Sequence, residues 1–191
     1  MKNIIKLIVL LGIFVASACE TEIVERVDEF SLESGGYMRT ISPYPVVAAS
    51  TFKVSRANMA GTKWEIVAEA VTPNLGANFE SYDLIVRFVD ATAANGTNSV
   101  SDVPLKSFSS TIYTKDAVTG YPRATLAVTG KEMQDALKIG DAQISTGDRF
   151  EIRATMRLKD GKSFNADNSD PDISGGAFYS SPFFYRVNIV D

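Results

Sequence analysis

The sequence contains no histidine and only one cysteine, and these two shortages exclude much of enzyme chemistry. Without histidine the chain cannot form a Ser-His-Asp or Cys-His nucleophilic site, nor a zinc or iron site with imidazole ligands. A single cysteine cannot close a disulfide within the chain, so the core alone has to stabilise the fold. Carboxylate chemistry stays open, as in glycoside hydrolysis or the binding of Ca²⁺ through oxygen ligands.

Positive charge is also scarce, with 19 Lys and Arg against 23 Asp and Glu and a net charge of −4. Nucleic acids and anionic lipid headgroups attract basic surfaces, so this balance argues against both as partners. Hydrophobic residues make up 45% of the 191 residues and include 11 Phe. Such a chain predicts one ordinary domain whose core needs no cross-links.

The N-terminus has the features of an export signal. A basic start is followed by an apolar run over 7–15 that is too short to span a bilayer, and then by small residues that lead to Cys19. This arrangement resembles the lipobox of bacterial lipoproteins. The resemblance implies that residues 1–18 are a signal peptide that is removed, and that Cys19 carries acyl chains such as palmitate. Several chains exceed what stable membrane attachment needs. A plain secretory signal before an incidental cysteine is the alternative.

Residues 19–44 are predicted to be an acidic tether between the lipid and the folded domain. Five carboxylates lie within 20–29, Ser34-Gly35-Gly36 interrupts any regular pattern, and Ser42-Pro43-Tyr44-Pro45 favours extended or turn geometry. Removal of Lys2 and Lys6 with the signal moves the net charge from −4 to −6. An apolar spacing also allows a short helix or strand that docks on a partner, through Ile23, Val24, Val27 and Phe30.

From residue 45 to residue 191 apolar and polar residues alternate in short runs, which is typical of strands with one buried face. The clearest run is 150–158, and Asp160-Gly161 directly after it predicts a type I′ hairpin turn. Further strands are predicted at 51–56, 64–70, 83–88, 106–114, 124–128 and 183–190. The sequence therefore predicts an all-β fold, a single immunoglobulin-like antiparallel β-sandwich over 45–191.

One short helix interrupts the strands. Thr129-Gly130-Lys131-Glu132 has the form of a capping box, in which each end side chain satisfies a backbone N–H of the other. Met133, Ala136 and Leu137 then form one apolar stripe, and Gly140 is predicted to end the helix.

The loop 165–172 is the best metal candidate. Asp167, Asp170 and Asp172, with Asn165, offer the hard oxygen ligands that Ca²⁺ prefers. The loop lacks the spacing of an EF-hand, and the alternative is that these side chains cap turns.

Aromatic residues are the candidates for ligand or partner contact. The alternation of the last strand places Phe184 opposite its neighbours and so directs its ring away from the core, and Tyr179 lies close before it. Tyr113 and Tyr121 bracket the loop 114–120. The alternative is that these rings belong to the core or to cross-strand pairs.

The strand carboxylates give no sign of catalysis. Glu65, Glu69, Asp83 and Glu151 all fall on the polar positions of predicted strands, so solvated sheet-face residues are the natural interpretation and an enzyme is not expected.

Three further stretches carry a family resemblance. Glu20-Thr21-Glu22 after Cys19 is similar to the acidic export signals of Bacteroidetes lipoproteins, which implies the exterior of the outer membrane. Residues 34–40 and 147–164 resemble small lipoproteins found beside SusC/SusD-type nutrient importers. That resemblance implies an immunoglobulin-like sandwich that is an accessory surface component and not an enzyme.

The expected function is accordingly a lipid-anchored accessory subunit of a SusC/SusD-type complex with a TonB-dependent transporter, importing oligopeptides or oligosaccharides. An autonomous surface module that binds glycans is the second hypothesis. A structural or adhesive envelope protein with a free edge strand is the third.

Overall fold

The computed structural model describes residues 35–47, 50–171, 173 and 182–191. The predicted signal peptide, Cys19 and most of the predicted tether lie outside these residues. The strands are β1 (Tyr37–Ser42), β2 (Phe52–Ser55), β3 (Lys63–Val71), β4 (Phe79–Val89), β5 (Val100–Ser109), β6 (Thr114–Lys115), β7 (Pro122–Thr129), β8 (Arg149–Leu158), β9 (Ser163–Phe164) and β10 (Phe184–Val190). The helical segments are α1 (Pro73–Gly76) and α2 (Gly130–Leu137), with 3₁₀ turns at Arg56–Asn58, Ala93–Asn95, Ser110–Ile112 and Asp141–Gln143.

The strands form two sheets. The four-stranded sheet has the order β1-β3-β7-β6, and the six-stranded sheet has the order β2-β10-β8-β4-β5 with β9 paired to β8. The predicted antiparallel pairing holds for the described strand pairs except one at the sheet edge, where β2 and β10 run parallel. These two strands are far apart in sequence and no tight turn joins them, so hairpin geometry does not set their relative direction.

The two sheets pack face to face through the apolar positions of their strands. Trp64 of β3 is fully buried, and its ring centroid lies 5.0 Å from that of Tyr185 on β10 and 6.2 Å from that of Phe52 on β2. These contacts join the layers at the centre of the core. The predicted all-β sandwich is confirmed, with the two-layer architecture that immunoglobulin-like domains share. The apolar positions of β8 are buried as predicted: Phe150, Ile152, Ala154, Met156 and Leu158.

Strand β1 corrects the predicted boundary between tether and domain. Residues 37–40 pair with Ala68–Val71 of β3, and Met38 and Thr40 are buried. The domain therefore includes residues that we assigned to the tether, and it does not begin at residue 45. The strand escaped prediction because it is only six residues long and lies between glycine-rich and proline-rich stretches that indicate turns.

Helix α2 forms at the predicted capping box. Thr129 Oγ1 accepts a hydrogen bond from the Glu132 N–H at 3.1 Å, and the Glu132 carboxylate accepts one from the Thr129 N–H at 2.7 Å. The helix buries Met133 and Leu137 in the core. Gly140 does not end it, because Lys138 adopts the left-handed conformation directly after Leu137 (φ 56°).

The turn after β8 lies where Asp160-Gly161 predicts it but has a different geometry. Gly161 N–H donates to the Leu158 carbonyl at 3.0 Å, and Leu158 N–H donates to the Lys162 carbonyl at 2.9 Å. Gly161 has a φ of +86°, which glycine tolerates without strain. This is a three-residue hairpin loop with a glycine bulge, and the predicted type I′ turn is wrong.

Candidate functional site

The outer face of the six-stranded sheet carries the candidate site. Strand register places Phe184 of β10 beside Arg153 of β8, and Arg153 beside Ile85 of β4. Together with Asp102 and Asp167 these side chains line a depression of about 420 Å³. The structure thus brings together Phe184, predicted as an aromatic contact for a ligand or partner, and Asp167, predicted as a calcium ligand.

The depression combines apolar and charged groups. Arg153 Nη1 lies 3.3 Å from Asp102 Oδ2, and the two side chains are 44% and 34% exposed. An ion pair this exposed contributes little to stability, so both groups remain accessible to a ligand. Phe184 is half-buried and Ile85 is exposed, which adds apolar contact area. A concave surface with apolar walls and a few charged groups is suited to holding a ligand.

Beside the depression lies an arginine cluster, which we define as Arg87, Arg149 and Arg186 around Glu151. Arg87 and Arg186 are the cross-strand neighbours of Glu151 on β4 and β10. The Nε atoms of Arg87 and Arg149 each donate to the Glu151 carboxylate at 2.7 Å. Arg186 Nε donates to Asn188 Oδ1 at 3.0 Å. The cluster therefore fixes two guanidinium groups on the Glu151 carboxylate and a third, that of Arg186, on the side chain of Asn188.

Glu151 remains ionised within this cluster. Burial alone raises the pKa of its carboxyl, but the hydrogen bonds from Arg149 and Arg87 outweigh burial and hold the pKa below its ordinary value. Glu151 is buried, so its charge is covered while the guanidinium groups lie closer to solvent. The prediction of a solvated Glu151 is wrong, because two arginine side chains fold over it.

The whole outer face carries more cations than carboxylates, although the chain is acidic overall. Sequence reasoning missed this surface, and its one signal was the series of charged polar positions along β8. The cations are Lys53, Arg87, Arg149, Arg153, Arg157 and Arg186, and the carboxylates paired with them are Glu151, Asp83 and Asp102.

The outer face of the four-stranded sheet has its own charged centre. Glu69 of β3 has no exposed surface and forms ion pairs with Arg39 of β1 and Arg123 of β7. Thr119 Oγ1 donates to Glu69 at 2.7 Å, and Arg123 Nη1 lies 2.6 Å from Asp116 Oδ2. These bonds hold the turn between β6 and β7 against the sheet. The prediction of a solvated Glu69 is wrong because this turn covers it.

The strand carboxylates are held as stable anions. Hydrogen bonds outweigh burial at Glu69, Asp83 and Glu151 and keep each pKa below its ordinary value. Glu65 is exposed and pairs with Lys63. A general acid needs a raised pKa, so none of these three buried or half-buried groups is suited to be the general acid of glycoside hydrolysis.

The predicted aromatic contacts are not brought together. Tyr113 is buried and packs edge-on against Phe79 with ring centroids 4.9 Å apart, so the prediction of an exposed Tyr113 is wrong. Its position directly after a 3₁₀ turn directs the ring inward. Tyr121 is half-buried and precedes β7, whereas Phe184 lies on the other sheet. Tyr179 lies outside the described residues.

The acidic loop after β9 is organised by its asparagines. Asn165 Oδ1 accepts hydrogen bonds from the N–H groups of Asp167 and Asn168 at 2.8 and 3.3 Å, and Asn168 Oδ1 accepts one from Asn165 N–H at 2.8 Å. Asp167 and Asp170 are exposed, and Asp172 is a position that the structure does not describe. Among described residues no three acidic or sulfur ligands converge. Calcium binding stays a prediction, checked by the melting temperature in millimolar Ca²⁺.

No protein-family model matches the chain, and no curated protein matches it. Within the described ranges, no helix has both the length and the apolar character that crossing a membrane requires.

Proposed function

We propose that this protein is a non-catalytic binding module, anchored through acylated Cys19 to the outer membrane and facing the cell exterior. Its partner is a SusC/SusD-type complex with a TonB-dependent transporter that imports oligopeptides or oligosaccharides. The single observation that carries the binding role is the outer face of the six-stranded sheet. There the depression and the arginine cluster offer contact groups, while the carboxylates are fixed in ion pairs.

The proposed mechanism is recognition at close range. Acyl chains on Cys19 keep the module beside the transporter, and the depression around Phe184 and Arg153 holds ligand or a partner loop near the entrance. Anchoring raises the local concentration of the module near the transporter. High affinity between the two is then not needed, because a tethered module meets its partner far more often than a free one.

A glycan-binding module that works alone is the second candidate. The observation in its favour is the half-buried Phe184 ring next to the exposed Arg153–Asp102 pair, since an aromatic ring flanked by charged groups suits a sugar. The structural or adhesive alternative has less support. The long edge strand β5 contains Pro104 and two register shifts against β4, which do not favour pairing with another strand.

The test is recovery of the tagged full chain from native membranes in mild detergent. We expect a TonB-dependent barrel to be recovered with it, and mass spectrometry to find acyl chains on Cys19. Cys19→Ser removes the anchor and is expected to abolish co-recovery. Recovery of the acylated protein alone would contradict the accessory role, and an unacylated Cys19 thiol would contradict the anchor.

A matched pair of variants tests which face is used. Arg153→Ala changes the depression, whereas Thr125→Ala changes an exposed side chain on β7 in the other sheet. We expect only the first to weaken co-recovery. Equal recovery of both variants would contradict the choice of this face.

A further inference from the structure

We infer that the arginine cluster (Arg87, Arg149 and Arg186 around Glu151) binds the carboxylate of an acidic sugar whose ring lies against Phe184. The ligand class is then a uronate-containing oligosaccharide. This inference rests on the proposed function in one respect, because it takes ligand binding as the role of this face.

The first argument is the charge of the cluster. Two of the three guanidinium groups pair with one carboxylate that is buried beneath them, and the third, on Arg186, forms no ion pair within the described part of the chain. Two acidic residues near the strand ends form no ion pair with these arginines among the described residues. Asp90 accepts from the N–H groups of Thr92 and Asn98, and Asp148 accepts from those of Ala91 and Ser145. An anion from outside the chain is therefore the complementary partner.

The second argument is the way in which the arginines are held. Arg149 and Arg186 are both fixed through Nε, to Glu151 and to Asn188. Neither has an ion pair through its Nη atoms within the described part of the chain. A guanidinium fixed at one edge loses less conformational entropy on binding and presents its remaining N–H donors as a planar fork. Such a fork matches a carboxylate.

The third argument is the spacing of Phe184 and Arg186 along β10. The two residues lie on the same face of the strand, two positions apart, so their backbone positions are about 7 Å from each other. A single pyranose ring with its exocyclic carboxylate spans such a distance. One ligand can thus place a sugar ring on Phe184 and its charge on Arg186, which a small free anion cannot do.

The test uses the full lipidated chain in a neutral detergent, with polygalacturonate as the acidic glycan. Amylose is the neutral glycan, and poly-L-glutamate is an acidic polymer without sugar rings. We expect binding of polygalacturonate that weakens as salt rises from 0.05 to 0.5 M, because ions screen the contact with the arginines. No binding of polygalacturonate, or equal binding of amylose or poly-L-glutamate, overturns the inference.

Variants locate the site. Arg186→Gln is expected to weaken polygalacturonate binding about tenfold, the effect of losing one charged hydrogen-bonded contact. Arg186→Lys keeps the charge but not the planar fork of N–H donors. It is therefore expected to weaken polygalacturonate binding less than Arg186→Gln does. Arg157→Gln is the matched control, since it removes the same charge from β8 on the same face, where Arg157 pairs with Asp83. Equal losses from Arg157→Gln and Arg186→Gln overturn the inference.

The ring contact has its own variant. Phe184→Ala is expected to weaken polygalacturonate binding as well, whereas a site made by charge alone leaves it unchanged. These measurements need no transporter. Binding of polygalacturonate by a protein that recovers no barrel contradicts the accessory role alone, and recovery of a barrel by a protein that binds no polygalacturonate contradicts this inference alone.

Discussion

Replacement of Glu69 by glutamine tests how the four-stranded sheet is held together. Glu69 has no exposed surface and binds Arg39, Arg123 and Thr119. Glutamine keeps the shape and part of the hydrogen bonding but removes the charge. The two arginines then face each other across β3 without the anion that lies between them.

The expected loss follows from burial. Removing one partner of a buried ion pair costs about 3–5 kcal/mol when the remaining charge stays buried. Here the remaining arginine side chains are 22% and 27% exposed, and Arg123 keeps Asp116 at 2.6 Å, so water and a second carboxylate reduce the loss. We expect Glu69→Gln to lower the free energy of unfolding by about 2–3 kcal/mol, just below that range. For a domain of this size the melting temperature then falls by about 4–12 °C.

The assay is thermal denaturation of the full chain in detergent at pH 7, with Glu65→Gln as the matched control. Glu65 lies on the same strand and the same face, but it is 42% exposed and pairs with an exposed lysine. We expect its replacement to change stability by less than about 0.5 kcal/mol. Equal losses from the two variants would refute the argument from burial.

The pH dependence of Glu69→Gln gives a second check. The pKa of Glu69 lies below its ordinary value of 4.5, since its hydrogen bonds outweigh burial. A lowered folded-state pKa stabilises the fold above the unfolded-state pKa, and that stabilisation is lost as the pH falls through the folded-state pKa. The difference between the wild type and the variant should therefore be constant at neutral pH and shrink below pH 4.5. A difference that does not change with pH contradicts the assignment to this charge.

Other predictions concern the helix cap and the core hydroxyls. Thr129→Ala removes one half of the capping box with Glu132 and is expected to cost about 1 kcal/mol by urea denaturation. Tyr82→Phe leaves the Pro182 carbonyl without its buried donor and is expected to cost about 1–2 kcal/mol in the same assay. Burial raises the pKa of Tyr185 from 10.0 to about 12. Stability should therefore be constant below pH 10 and fall as the pH rises towards 12, which circular dichroism in an alkaline titration measures.

The parts of the fold that the sequence predicted well are those specified by neighbouring residues. The alternation in β8 gives its buried face directly, because successive side chains of a strand point to opposite sides. The capping box of α2 is also local, since Thr129 and Glu132 are three residues apart. Strand β1 was missed for the same reason, because its place in the sheet comes from pairing with β3 and not from its own six residues.

The candidate site depends on register between distant strands. Arg87 and Glu151 are 64 positions apart in the chain, and no local pattern announces that they are neighbours. Only the pairing of β4 with β8 and of β8 with β10 places Arg87, Glu151 and Arg186 in one row. The net charge of −4 gave no indication of the basic face, because a net charge does not show which strands carry the arginines.

The two sheets contain the same kind of ion-pair centre, but we assign the two centres different roles. Each has one buried glutamate on its outer face, bound by arginines from its own or a neighbouring strand. On the four-stranded sheet the turn after β6 covers Glu69, and Asp116 engages Arg123 from the far side, so that centre is closed. On the six-stranded sheet the Nη atoms of Arg149 meet no second carboxylate among the described residues. The centre at Glu69, whose charged groups are all paired, stabilises the fold. The arginine cluster has more positive than negative groups and can bind an anion from outside the chain.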